Sequence, residues 1–316
     1  MRITNRAWAE LALLSLIWGA SFLTIALALR ATGPFTAVFW RVCLGAGALW
    51  AAALAMRLGV PRDLRFWGAC AVMGLLNNVV PFTLMAWGQT SIESGLTAIL
   101  NATTAVFGAL TAAAFLRDER LTAGRAAGVA LGLAGVAAIV GPEALGAFDI
   151  RSLGQLAVLG GALSYALASV WGRARLGGRP PVVAAAGMTS AATLMMAPLM
   201  LLVEGPPRLD LGAAAWGAIL YYALIGTALA YLLYYRILAM AGAANLMLVT
   251  LMIPPTAIVL GRVVLDERLA PSAYLGFALI ALGLIAIDGR AAAALRRARR
   301  PAPRAAPPTR GRPDRP

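Results

Sequence analysis

Of 316 residues, 61% are hydrophobic and only 13% charged, whereas a soluble globular chain has charged residues near a quarter. All 27 basic residues are arginine; the chain has neither lysine nor histidine. Those absences exclude a P-loop, a pyridoxal Schiff base and a Ser-His-Asp triad. Cys43 and Cys70 lie singly within apolar runs and read as buried hydrophobes, so neither a metal site nor a cofactor is expected, and the chain is not expected to be an enzyme.

A membrane helix needs about 20 apolar residues to cross about 30 Å of hydrocarbon. Such runs occur, in chain order, at Trp8–Leu29, Pro34–Met56, Phe66–Trp87, Ser94–Leu116 and Leu121–Val140. They continue at Leu153–Trp171, Pro181–Val203, Leu211–Tyr235, Ile237–Leu265 and Pro271–Ile287. The expected fold is therefore an all-α polytopic membrane protein with ten transmembrane helices. The first run has Arg2 and Arg6 ahead of it, like a signal peptide, but its apolar stretch is too long for one and reads as an uncleaved helix.

Arginine placement sets the orientation. With the N-terminus inside, twelve arginines before residue 290 fall on the inner side and five on the outer, while Arg41 lies within a span. Nine more lie between Arg290 and Arg315, opposed by Asp314 alone. Both termini are thus expected in the cytoplasm, with an even number of helices. The net charge of +14 is concentrated in residues 290–316, so it forms no basic face for a nucleic acid. This Arg/Pro-rich tail is expected to be disordered and to fluctuate against anionic membrane lipids.

The chain is internally duplicated. Asp118-Glu119-Arg120-Leu121 recurs as Asp266-Glu267-Arg268-Leu269, an offset of 148 residues, and glycine-spaced helices follow each copy: Gly128, Gly132 and Gly135, then Gly276 and Gly283. Five spans per half is an odd number, so residues 1–142 and 151–289 are expected to be two inverted repeats, with a binding site near the midplane between them. Together with Ile17-Trp18-Gly19-Ala20-Ser21-Phe22, Arg41, Gly242-Ala243-Ala244-Asn245 and Ile253-Pro254-Pro255, the sequence resembles the EamA-type transporters of the drug/metabolite transporter superfamily. That resemblance covers residues 8 to 288 and implies a ten-helix inner-membrane carrier of small metabolites, commonly an exporter. One departure is Val106 at the offset of Pro254, which predicts a fourth helix without the kink of the ninth.

Polar groups within a membrane must find a protein partner or line a wet cavity. Arg41 lies about 10 Å into its span at 1.5 Å per residue. It holds an anionic solute group, or its stem snorkels to the outer surface, or it ties helix ends together. Asn77 and Asn78 sit mid-span before Pro81, which is expected to free the Asn77 carbonyl; they either line a solute cavity or bond between helices. Asn245 carries the same two readings. Trp18 and Tyr165 fall nearly in repeat register and are expected to face each other across the cavity, with Tyr231 a further aromatic contact; packing alone is the alternative for all three. The scarce carboxylates lie near span ends, predicting facilitated diffusion or exchange in preference to dedicated proton coupling, with Glu10 the exception to watch.

The chain accordingly reads as a secondary transporter of a small polar or amphipathic, amino-acid-like metabolite, an exporter working by alternating access as a monomer or homodimer. The alternative is a multidrug exporter of lipophilic cations.

Overall fold

The computed structural model describes residues 4–115, 122–140, 150–176, 178–246 and 248–288. The first copy of the repeated acidic motif, Asp118–Leu121, and the Arg/Pro tail lie outside the described residues. Elsewhere the chain is a bundle of apolar helices: α1 (Asn5–Leu29), α2 (Pro34–Ala55), α3 (Leu64–Gly88), α4 (Ser94–Phe115) and α5 (Ala123–Val140). The second half supplies α6 (Ile150–Arg175), α7 (Pro181–Val203), α8 (Ala213–Ala241), α9 (Val249–Leu265) and α10 (Pro271–Asp288). Eight of them are long and apolar enough to cross a membrane, and α9 and α10 are shorter apolar helices. Large side chains point outward without cover, Leu202 being 84% exposed, as expected where hydrocarbon is the solvent.

Local sequence sets the helix starts. Thr4 Oγ1 accepts from the Ala7 N–H at 3.2 Å, Asp63 accepts from the Arg65 N–H at 2.9 Å, and Pro34 and Pro181 sit where a missing N–H costs nothing. Two expected boundaries move. The eighth run continues past Tyr235 to Ala241, so Arg236 belongs to the last turns of α8 and not to a loop. Gly242, at φ 78°, ends it, which splits the run expected at Ile237–Leu265. The fourth helix is not straight either. It divides into Ser94–Asn101 and Thr104–Phe115, because the Ala102 and Thr103 N–H groups reach three residues back and Thr103 Oγ1 donates to the Leu100 carbonyl at 2.6 Å. No proline is present at this break.

Packing follows the duplication. Helix α2 packs on α7, α5 on α10 and α4 on α9; α1 packs on α9 as α4 does on α6, and α3 on α7 as α8 does on α2. Each mixed pair has its counterpart with the halves exchanged. The α5–α10 seam shows this at atomic scale. A Cβ on Gly128 would lie 2.5 Å from the Gly283 carbonyl oxygen, and one on Gly283 the same distance from that of Gly128. Gly135 and Gly276 oppose each other likewise at 2.7 Å. Since Gly276 and Gly283 are the repeat counterparts of Gly128 and Gly135, these contacts are reciprocal, as a twofold between antiparallel copies requires. Side chains have no room there, and the backbones approach as closely as small-residue membrane interfaces allow.

Candidate functional site

The site is built on two widened turns. Pro81 cannot donate a backbone hydrogen bond, and α3 accommodates it by a π turn at Leu75–Val79, in which the Val80 N–H reaches five residues back to the Leu75 carbonyl. The same register assigns the missing proline N–H to Leu76. The orphaned carbonyl is therefore that of Leu76 and not, as expected, that of Asn77. Ser164 Oγ of α6 donates to it at 2.7 Å. Helix α8 carries its own π segment, Tyr221–Leu229, where the Ala230 N–H likewise reaches the Ile225 carbonyl. At the 148-residue offset the turn of α3 maps to 223–227, inside this segment, so the irregularity is duplicated with the sequence.

These turns bring polar groups together in the middle of the bundle. Asn77 Nδ2 donates to the Tyr231 hydroxyl at 3.1 Å, and that hydroxyl donates to Asn78 Oδ1 at 3.2 Å. Asn78 is fully buried, and its Nδ2 has no hydrogen-bond partner among the described residues. A buried unsatisfied donor costs about 1–3 kcal/mol.

Arg41 of α2 completes the cluster and is 8% exposed. Its guanidinium carbon lies 3.3 Å from the ring centre of Phe82 and 3.8 Å from that of Tyr222. Nε donates to Thr227 Oγ1 at 2.9 Å, and Nη1 donates to the Tyr222 hydroxyl. Thr227 Oγ1 donates onward to the Tyr222 carbonyl at 3.0 Å, across the π segment. The side chain therefore does not snorkel; it turns inward onto α3 and α8. Among the described residues the ion pairs involve Glu10, Asp63, Glu93, Asp210 and Asp266, and none reaches Arg41. Two aromatic faces and two hydroxyls compensate a buried cation, and stacking of this desolvated kind stabilises it by about 2 kcal/mol.

Tyr165 of α6 meets Phe82 edge-on, ring centres 6.3 Å apart, and so joins the cluster through the ring on which Arg41 stacks. Five of the seven residues singled out in the sequence thus gather at one place: Arg41, Asn77, Asn78, Tyr165 and Tyr231. Trp18 stands beside them on α1, where its indole N–H donates to the Gly226 carbonyl at 3.2 Å and its ring packs on Tyr234, with 5.9 Å between centres. Trp18 and Tyr165 have separate ring partners, Tyr234 and Phe82. Asn245 is elsewhere, its amide donating to the Ala241 carbonyl at 2.8 Å across the corner between α8 and α9. Sequence reasoning missed Phe82, Thr227 and Ser164, and did not single out Tyr222 from the other aromatic residues of the spans. Carrying the Asn77–Asn78 signal across the repeat offset leads to Ile225 and Gly226, one residue short of Thr227.

A cleft of about 730 Å³ lies to one side, between α1, α8 and α9, with an apolar lining that includes Leu13, Leu16, Ile225, Pro255 and Val259. Among the described residues no three metal-ligating side chains come together.

The carboxylates serve the helix ends. Glu204 accepts from the N–H groups of Phe35 and Thr36 at 2.9 and 2.8 Å, and from the Thr36 hydroxyl at 2.6 Å. Glu267 accepts from the N–H groups of Ser94 and Gly95 and from the Ser94 hydroxyl. Glu93 forms a forked pair with Arg151, and Glu10 bridges Arg6 and Arg236. The carboxyl of Glu10 is thus tied to two guanidiniums at one end of the bundle.

Comparison with known proteins agrees with this architecture. The model of the EamA-like transporter family matches twice, over residues 7–141 and 152–287. A transporter of Bacillus subtilis, YoaV, is 24% identical over 275 residues, covering 85% of this chain and 92% of its own length. A protein of Streptantibioticus cattleyicolor named as a probable terminal-alkyne amino-acid exporter is 28% identical over 305 residues, with 92% and 95% covered. A crystal structure with 21% identity superposes on 90% of this chain and 97% of its own at a TM-score of 0.64, a likeness of fold. With a duplicated bundle of apolar helices and family matches to both halves, this chain belongs to the EamA-like transporter family.

Proposed function

We propose that this transporter exports a small, carboxylate-bearing, amino-acid-like solute across the inner membrane, with both termini in the cytoplasm. Residues 1–142 and 151–289 act as the two rocking halves of an alternating-access carrier. One observation carries the reading: Arg41 is buried at the centre without a carboxylate partner among the described residues, and the unpartnered amide of Asn78 lies one helical turn from the Phe82 ring on which Arg41 stacks. A guanidinium and an amide N–H are the donors that a solute carboxylate needs. Arg41 binds that carboxylate, Asn77, Asn78 and Tyr231 hold the polar remainder, and Tyr165 and Trp18 form the walls. Asn245 serves the α8–α9 corner instead. The name of the Streptantibioticus relative supports an amino-acid cargo. A central cation disfavours lipophilic cations as solutes. The ion-paired Glu10 leaves no free carboxylate for proton relay on α1, which favours exchange or facilitated diffusion.

The test is counterflow of labelled amino acids in proteoliposomes. Saturable exchange that Arg41→Gln abolishes, in protein that still folds, is the expected result. Transport of several unrelated lipophilic cations, unchanged in Arg41→Gln, would overturn the proposal in favour of a multidrug exporter.

A further inference from the structure

A second cleft, of about 540 Å³, opens where α3 begins and α6 ends, far from the central cluster along both helices. Arg65, Arg175 and Arg179 stand at its mouth with a single carboxylate, Asp63. That carboxylate is already engaged: it accepts from the Arg65 backbone N–H at 2.9 Å and pairs with Arg179 at 3.2 Å. The guanidiniums of Arg65 and Arg175 have no carboxylate partner among the described residues. Arg175 lies 5.4 Å from the ring centre of Trp171, whose indole N–H donates to the Ala69 carbonyl at 3.2 Å and so fixes the ring between α6 and α3.

Below this cationic mouth the lining turns apolar. Ala69 and Val72 lie one and two turns deeper than Arg65 on α3, about 10 Å at 1.5 Å per residue. Gly68 also lines the cleft, and a Cβ built on it would meet nothing within 4 Å, so the space beside it is open. Because α3 is one of the apolar spans, its end places the arginines at the depth of lipid headgroups and Val72 at the depth of acyl chains. A small soluble anion would use only the mouth. The geometry points to an anionic phospholipid as occupant, its phosphodiester held by Arg65, Arg175 and Arg179 and one acyl chain lying along Ala69 and Val72 beside the Trp171 ring.

The experiment uses the full-length protein in detergent, with thermal melting and native mass spectrometry as readouts. Dioleoylphosphatidylglycerol, dioleoylphosphatidylcholine and inorganic phosphate are the three probes. Phosphatidylglycerol is expected to raise the melting temperature and remain bound, while the other two have no effect. Combining Arg65→Gln with Arg175→Gln should weaken phosphatidylglycerol retention about tenfold or more. Gly68→Leu, which fills the apolar floor without changing any charge, should weaken it too and stands in for the double variant if that fails to fold. Arg208→Gln, in the loop between α7 and α8, should retain the lipid as the natural sequence does. The arginine-rich tail is common to all variants, so it contributes equally to each measurement. Equal protection by phosphatidylcholine or by inorganic phosphate would overturn the proposal, as would undiminished phosphatidylglycerol retention in the double variant or in Gly68→Leu.

Discussion

The centre of this bundle and its ends treat charge in opposite ways. At the ends each engaged carboxylate has donors: Glu204 and Glu267 cap the starts of α2 and α4, Glu93 holds Arg151, and Glu10 bridges two arginines. At the centre, Arg41 has only ring faces and hydroxyls. The carboxylates named at the ends are all engaged, while the centre keeps one positive charge for which the described part of the chain supplies no anion. In a medium of low dielectric that imbalance is costly unless function uses it. The contrast therefore separates the groups that maintain the structure from the group that the proposed function assigns to the solute.

The largest way to break the contrast is at Arg41 itself. Arg41→Lys keeps the charge but loses the planar fork that stacks on Phe82 and Tyr222, and should lower counterflow about 100-fold with little change in expression. Undiminished counterflow would show that charge alone suffices. A second change gives the centre the anion it lacks. Asn78→Asp places a carboxylate one turn from Phe82, where it would compete with the solute for Arg41; counterflow should fall about tenfold while melting temperature holds or rises. If Arg41 were purely architectural, this variant would be more stable and transport unimpaired.

Changes at the ends should act on stability instead. Glu204→Ala removes the acceptor for two backbone N–H groups at the start of α2 and should cost about 1–2 kcal/mol, read as a lower melting temperature. The surviving protein should keep its apparent affinity for solute. The smallest effect is expected at the exposed Arg208–Asp210 pair. Arg208 holds the Asp210 carboxyl below its ordinary range, so any contribution from the pair is present above that range and lost only as pH falls through the lowered value. Melting temperature should therefore not change between pH 7 and pH 5 on this account, in the natural sequence or in Arg208→Ala.

How much of this was legible depended on whether a residue's type contrasted with its surroundings. Apolar runs bounded by arginine revealed the all-helical membrane architecture, and Arg41, Asn77 and Asn78 stood out as polar groups in hydrocarbon. Phe82 and Tyr222, which sandwich the guanidinium, did not, because an aromatic residue in an apolar span breaks no pattern. The partners of Glu204 were illegible for another reason: they lie about 170 residues away in sequence, at the start of α2. The break in α4 at Ala102–Thr103 contains no proline, so the sequence carries no mark of it. The carbonyl freed by Pro81 was misassigned by one residue, since a π turn changes the count from four to five.

The reciprocal glycine contacts between α5 and α10 have a mechanical consequence. With backbone oxygen against α-carbon on both sides of the pseudo-dyad, neither rod can slide or roll without collision. In the proposed alternating-access cycle the seam would be the fulcrum, and movement would be largest at the helices farthest from it.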